Sequence, residues 1–273
     1  MLEALQYEFM RNALLAGLLA AIACGVIGVY VVVKKIVFIS GGIAHASFGG
    51  IGLGYLAGVN PLFGALFFSL ISGLAIGYVN RKTRLPEDTA IGIIWAMGMA
   101  LGVIFVALTP GYTPDLMSYL FGNILTVPLS DLILMLALDI LIIAIVISFF
   151  KEYLIISFDE EYGVSIGVPV EKMYFLLMVM ISLTVVVLIR VVGMILVISL
   201  LTFPAIMARQ FTYNMKSMMF LSISFGFVFT LGGLWLSYES NLPSGATIVL
   251  FSGILLAITL LITRLHGKGR NNP

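Results

Sequence analysis

Apolar stretches of about 20 residues recur along the whole chain and are separated by short polar breaks. A helix needs about 20 such residues to cross the hydrocarbon core of a bilayer. The pattern predicts an all-α polytopic membrane protein with about nine spanning helices, or eight if one weak break is discounted. The predicted segments are about 12–33, 36–58, 61–80, 89–109, 130–150, 173–189, 192–208, 214–237 and 245–264. The weakest are the glycine-interrupted second segment and the pair that meets near residue 190.

The composition leaves little room for a domain outside the membrane. Of 273 residues, 61% are hydrophobic and 10% are charged, whereas soluble domains contain about 25% charged residues. We therefore expect residues 1–273 to form a single transmembrane domain. The formal net charge of +1 argues against a basic surface for nucleic acid. The one cysteine, Cys24, excludes a disulfide framework.

The basic residues predict the orientation, because cytoplasmic loops retain Lys and Arg. With nine spans and an external amino terminus, only Arg11 and Arg190 lie at or near the outer side, and the other 12 of the 14 basic residues lie on the cytoplasmic side. We therefore expect an external amino terminus and a cytoplasmic carboxyl terminus.

The longest hydrophilic loop spans residues 151–172, on the predicted cytoplasmic side. Its carboxylates stand beside apolar positions, which is typical of a docking element for a soluble partner. An ordinary solvated loop is the alternative. The loop contains Asp159, Glu160, Glu161 and Glu171, and the apolar residues beside them are Tyr162, Val164 and Ile166.

Motifs for enzymatic chemistry are missing from the sequence. No G-x-x-x-x-G-K-[ST] nucleotide-binding loop occurs, and neither HExxH nor GxSxG is present. We therefore expect a protein that is not an enzyme and that depends on a separate subunit for any ATP hydrolysis.

His45 is the first candidate for chemistry within the membrane. It lies nine residues into the second segment, about 14 Å deep and close to the bilayer centre, which is the depth where transporters bind substrate. Its neighbours on a helix are mostly glycine, which leaves an open groove beside the imidazole, and neutral imidazole is a good ligand for zinc and other transition metals. An interhelical hydrogen bond is the alternative role.

Asp139 is the second candidate, because it stands in the middle of an apolar segment. An unpaired charge at that depth costs at least about 2.5–3.5 kcal/mol, so the carboxyl group must face protein, water or a donor. A cation pathway and a structural polar contact both remain open for it.

Six separated segments carry a resemblance that extends over about residues 12–260. They are FISGGIAHASFGGIGLGYLAG, LPEDTAIGIIWAMGMALGVIFVAL, LMSYLFGNILTVPLSDL, SFDEEYGVSIGVPV, IRVVGMILVISLLTFPAIMAR and LPSGATIVLFSG. In this order they resemble the signatures of the membrane permeases of the zinc/manganese ABC import family, the ABC-3 family. The resemblance implies a helical bundle like that of the vitamin B12 and haem permeases. It also implies a homodimer in the cell membrane, two copies of a cytoplasmic ATPase and an extracytoplasmic metal-binding protein.

Several residues match the family pattern position by position. His45 matches a histidine on the ion path, but the aspartate that many members carry four residues earlier is Gly41 here. The coupling segment of the family, which contacts the ATPase, is matched by Asp159, Glu160, Tyr162 and Gly167, and Pro204 matches a proline that allows a helix bend. Asp139 has no counterpart in the pattern.

The resemblance implies import of a divalent transition metal by alternating access, with no permanently bound cofactor. The stretch SYLFGNIL followed by PLSDL is slightly closer to zinc permeases, so the sequence slightly favours zinc over manganese or iron. Two alternatives from other classes are an ATP-independent cation channel or secondary transporter, with His45 and Asp139 as its relay, and a membrane scaffold.

Overall fold

The computed structural model describes residues 6–83, 85–110, 122 and 124–268. Within these residues the chain forms eleven α-helices and a short 3-10 turn at Ile124–Thr126, without a strand. The helices are α1 (Glu8–Val33), α2 (Val37–Leu56), α3 (Pro61–Lys82), α4 (Glu87–Leu108), α5 (Leu129–Ser148), α6 (Phe150–Phe158), α7 (Glu160–Ser165), α8 (Val170–Val192), α9 (Met194–Phe211), α10 (Met215–Ser240) and α11 (Ser244–Lys268).

Each of the nine predicted segments contains one helix, which confirms the all-α polytopic prediction. In the described part of the chain, eight helices are long and apolar enough to cross a membrane, and α9 is the shorter ninth. With 18 residues, α9 is about 27 Å long, slightly less than a typical hydrocarbon core. The weak break predicted near residue 190 is a single residue, Gly193, whose φ of 74° is a left-handed conformation that favours glycine.

Two groups of helices form the bundle. On one side α2 packs between α3 and α4, and on the other α1 packs against α9, α10 and α5. The groups meet where α8 contacts α3 and α1, and where α9 contacts α2. The short helices α6 and α7 follow α5 and precede α8, at the end of the bundle where α1 meets α2 and where α3 ends. The arrangement thus places the predicted coupling loop against the ends of several spans.

The glycines that weaken the second predicted segment are the points of closest helix approach. A Cβ atom on Gly50 of α2 would overlap the backbone of Gly64 in α3, and one on Gly64 would overlap the carbonyl of Gly50. On the other face of α2, Gly98 of α4 approaches Ala46 in the same way. Small residues allow such backbone contact between membrane helices, so the glycines of α2 bring α3 and α4 close to it.

We expect Gly50→Ala to destabilise the protein by at least about 1–3 kcal/mol, the usual cost of overpacking. The atoms that the new methyl group would meet are backbone atoms and cannot rotate away. Gly92→Ala in α4 is the matched control, because no atom lies within 4 Å of a Cβ at that position. Thermal unfolding in detergent should show a lower transition temperature for Gly50→Ala alone. Equal transition temperatures for the two variants would contradict the packing role of Gly50.

Candidate functional site

The imidazole of His45 stacks on the indole of Trp95, across the contact between α2 and α4. The ring centroids are 4.1 Å apart and the ring planes differ by 5°. His45 Nδ1 is buried and has no hydrogen-bond partner within the described part of the chain. The interhelical hydrogen bond considered as an alternative is therefore not made by this nitrogen, and the contact of the ring is a stacking contact.

Gly41, which stands where many members of the family carry an aspartate, faces a different helix from His45. A Cβ atom on Gly41 would approach the side-chain tip of Ile198 in α9, at 2.6 Å, whereas His45 faces α4. The face of α2 that carries Gly41 and His45 therefore lies between α9 and α4. A carboxylate at position 41 would require Ile198 to change its rotamer.

Asp139 is buried in α5, with 2% of its surface exposed, and neither carboxyl oxygen has a hydrogen-bond partner among the described residues. Because α5 packs mainly on α1 and α8 whereas α2 packs mainly on α3 and α4, the structure does not bring Asp139 beside His45. A role for Asp139 in a cation pathway stays a prediction.

No group of three or more histidine, cysteine or acidic side chains that could hold a metal ion occurs among the residues that the structure describes. Of the two predicted metal-pathway residues, His45 and Asp139, only His45 stacks on an aromatic side chain of a neighbouring span. Its Nδ1 has no hydrogen-bond partner among the described residues.

The predicted coupling loop contains α6 and α7, and two of its predicted residues determine the ends of α7. Asp159 caps the amino end, where its Oδ1 accepts a hydrogen bond from the backbone N–H of Tyr162 at 2.8 Å. Gly167, with φ of 86°, lies just beyond the carboxyl end. Its N–H donates to the carbonyl of Val164, and the N–H of Val168 donates to that of Gly163, which together form a Schellman motif.

Glu160 is held between two basic side chains from distant parts of the sequence. Lys34 Nζ lies 2.8 Å from Glu160 Oε1. Arg81 Nη1 lies 2.8 Å from Glu160 Oε2, and Arg81 Nη2 donates to Oε1 at 3.0 Å. Arg81 therefore binds the carboxylate through two N–H groups, the stronger geometry for an ion pair. We refer to Lys34, Glu160 and Arg81 as the coupling clamp.

The coupling clamp connects α7 to the ends of the spans. Lys34 lies in the turn between α1 and α2 and also donates to the carbonyl of Ile156 in α6, at 2.8 Å. Arg81 lies in the last turn of α3, and its guanidinium carbon is 4.1 Å from the centre of the Tyr174 ring in α8. Because α3 and the α1–α2 turn adjoin α2, the clamp links the coupling loop to the helix that carries His45.

The ionisation of Glu160 supports a closed clamp at neutral pH. Partial burial raises the pKa of the carboxyl group, but the hydrogen bonds from Arg81 and Lys34 outweigh burial, and the net pKa is lowered. A carboxyl group with a lowered folded-state pKa stabilises the structure above its unfolded pKa, and this contribution is lost as the pH falls through the folded pKa. The clamp should therefore open only in acid.

The exposed face of α7 is apolar, whereas the coupling clamp consists of charged side chains. Tyr162, Val164 and Ile166 are 55%, 64% and 49% exposed, and Phe158 at the end of α6 is 68% exposed. An apolar patch at the end of a helical bundle, beside a row of carboxylates, suits contact with a soluble protein.

Pro204 lies inside α9, as the resemblance implies, and is buried against α10, with its Cγ atom 3.6 Å from a Cβ built on Gly226. A proline in a helix interior removes one backbone hydrogen bond. The helix nevertheless continues from Met194 to Phe211.

Sequence reasoning missed three residues of this arrangement. Trp95 had no signal beyond its place in an apolar segment, and Lys34 and Arg81 were interpreted only as indicators of orientation. For Lys34 and Arg81, the sequence offered one signal. Each is a basic residue at the end of a predicted span, on the same side of the membrane as the acidic loop. The sequence does not say which carboxylate each one binds.

The apolar spans and the short helices held at one end of the bundle are the architecture of a multi-pass membrane protein. A family model described as the ABC 3 transport family matches residues 6–263, and the chain belongs to this family.

Curated relatives extend over nearly the whole chain. An uncharacterized membrane protein of Synechocystis is 50% identical, covering 97% of this chain and 94% of the relative. The manganese transport system membrane protein MntC of Listeria monocytogenes is 36% identical, covering 96% and 94%. MntC of Halalkalibacterium halodurans is 33% identical, covering 97% and 91%.

Solved structures show the same fold. PsaBC from Streptococcus pneumoniae, in complex with Fab, contains a chain that is 33% identical with a TM-score of 0.85, covering 94% of this chain and 93% of that one. An inward-facing putative metal-chelate type ABC transporter is 18% identical with a TM-score of 0.63, covering 92% and 85%, and supports the fold alone.

Proposed function

We propose that this protein is the membrane permease of an ABC importer that carries manganese into the cytoplasm and hydrolyses no ATP itself. The observation that carries the proposal is the likeness to MntC permeases over at least 96% of the chain. The slight preference for zinc inferred from SYLFGNIL and PLSDL is not supported, because the relatives reported above that are named for a metal are named for manganese. Most of SYLFGNIL lies outside the described residues.

The proposed assembly follows from the membership of the family and from the exposed surface at the coupling-loop end of the bundle. Residues 1–273 form one permease domain that pairs with a second copy. Two copies of a cytoplasmic ATPase contact the coupling loop at about residues 151–172, and an extracytoplasmic metal-binding protein delivers the ion. The exposed apolar face of α7 supports the ATPase contact.

The proposed mechanism is alternating access without covalent chemistry. ATP binding closes the two ATPases, and their motion displaces α7. The coupling clamp passes this displacement to α3 and the α1–α2 turn, and hence to α2 and His45. One imidazole per protomer, together with waters, binds the ion weakly enough to release it, as conduction through a binding site requires.

Manganese and zinc uptake into vesicles containing the purified permease tests the proposal. We expect uptake only when the ATPase subunit and ATP are both present, and faster uptake of manganese than of zinc. Uptake without ATP would replace the proposal by a channel or secondary transporter. Normal metal uptake in cells lacking the permease would favour a scaffold.

We further propose an external amino terminus. The structure brings basic residues to the end of the bundle that holds the coupling loop, as positive-inside topology requires. An impermeant thiol reagent should label Glu8→Cys in intact cells and Ser165→Cys only after permeabilisation. Native Cys24 is buried and gives little background. Labelling of Ser165→Cys in intact cells would reverse the orientation. The basic residues at this end are Lys34, Arg81, Lys82 and Lys216.

A further inference from the structure

A cleft of about 710 Å³ opens beside α1, between the end of α5, the start of α6 and the start of α10. Neither the His45–Trp95 contact nor the coupling clamp contributes to its lining. Its apolar lining includes Ile143 and the buried Val26 and Met219, which we refer to as the inner part. Its charged lining consists of Glu152 and the exposed Lys151 and Lys216, which we refer to as the mouth. The lining of the cleft therefore changes from apolar to charged along the membrane normal.

The inner part of the cleft lies at hydrocarbon depth. Ile143 precedes the last residue of the α5 span by five residues, or about 7.5 Å. A bound water needs two to four polar partners, whereas the side chains of Val26 and Ile143 offer none and the thioether of Met219 is only a weak acceptor. An apolar chain is therefore the favoured content of this part of the cleft.

The mouth of the cleft carries positive charge that the protein does not neutralise. Neither Lys151 nor Lys216 forms an ion pair with another residue that the structure describes. Lys216 lies in the first turn of α10, where the helix dipole disfavours a cation. Its Nζ is 5.2 Å from the centre of the Phe150 ring at the cleft wall. Glu152 offsets only one of the two lysine charges, so the mouth favours an anion.

We propose that this cleft binds an anionic phospholipid of the leaflet on the coupling-loop side. The acyl chain occupies the apolar part, and the phosphate lies between Lys151 and Lys216. A lipid fits better than a protein segment, because the change from apolar to basic lining coincides with the end of the α5 span, where hydrocarbon gives way to headgroups. The proposal does not depend on which ion the permease carries.

Phosphatidylglycerol is the probe for the test. The permease with its ATPase subunit is placed in phosphatidylcholine nanodiscs, phosphatidylglycerol is titrated in, and retained lipid is counted by native mass spectrometry. Each basic residue near anionic lipid contributes about 1 kcal/mol, or about fivefold in affinity. We therefore expect the Lys151→Gln/Lys216→Gln variant to retain phosphatidylglycerol about 30-fold more weakly. Equal retention of phosphatidylcholine by the wild-type protein would overturn the proposal.

Two further variants separate this site from general surface charge. Arg209→Gln/Arg264→Gln removes the same charge on the same side without touching the cleft and should retain lipid as the wild type does. Ile147, which is 72% exposed at the cleft, can be enlarged by Ile147→Trp to obstruct the acyl chain without changing charge. Normal lipid retention by Ile147→Trp, or full displacement of the lipid by inorganic phosphate, would refute an acyl-chain site. If the two double variants lose phosphatidylglycerol equally, general surface charge and not this cleft retains the lipid, and the proposal is refuted.

Discussion

Replacing His45 by alanine is expected to reduce manganese uptake at least about 10- to 100-fold, the range seen when even outer-shell partners of a metal ligand are removed. His45 lies about 14 Å into the second predicted segment, at a depth predicted to be close to the bilayer centre, and its Nδ1 has no hydrogen-bond partner among the described residues. Expression should be retained, because the ring is held by stacking rather than by a buried hydrogen-bond network. Uptake by vesicles that contain the ATPase subunit is the measurement.

His45→Phe separates ligation from packing. Phenylalanine keeps an aromatic ring against Trp95 but supplies no nitrogen, so a ligand role predicts the same loss of uptake as in His45→Ala. Trp95→Phe retains a stacking partner for the imidazole and should transport at a rate near that of the wild type. Wild-type uptake by His45→Phe would assign His45 to helix packing and remove it from the ion pathway.

Reversing the charge of Glu160 is expected to reduce the manganese carried per ATP hydrolysed about tenfold or more. In the wild-type protein, Lys34 and Arg81 each lie 2.8 Å from the carboxylate of Glu160. Glu160→Lys replaces this carboxylate by a third cation. Hydrogen bonds to charged groups contribute about 1.5–3 kcal/mol, and 1.4 kcal/mol corresponds to a factor of ten. Without the clamp, ATPase motion should displace α7 without moving α3. Parallel assays of uptake and ATP hydrolysis measure this ratio.

Glu161→Lys is the matched control, since Glu161 is the next residue, is exposed and forms no ion pair with a described residue. We expect it to leave the clamp closed, so that a loss of coupling shared by Glu160→Lys and Glu161→Lys would be assigned to docking and not to the clamp. Size-exclusion chromatography distinguishes the clamp from a docking role. A Glu160→Lys permease that keeps its ATPase but transports poorly supports the clamp, whereas one that loses the ATPase would make Glu160 a docking residue.

The sequence alone determined the membrane character and the positions of the helices, and it predicted the depth of His45. These properties depend on the length and spacing of apolar stretches, which are local and set by the thickness of the bilayer. The coupling loop was equally visible, because a run of 22 residues with five carboxylates stands out between apolar spans. The same local pattern left open whether Asp159 and Glu160 face a partner or the permease.

Only the tertiary structure decided which of these residues meet. Glu160 pairs with Lys34 across 126 positions of sequence, His45 stacks on Trp95 of another span, and Asp139 lies on a helix that packs elsewhere. The glycines that made α2 look like a weak span are the reason that α3 and α4 approach it closely. Apolar length constrains each helix separately, whereas the pairing of helices depends on shape complementarity between distant segments, which a single chain's hydropathy does not encode.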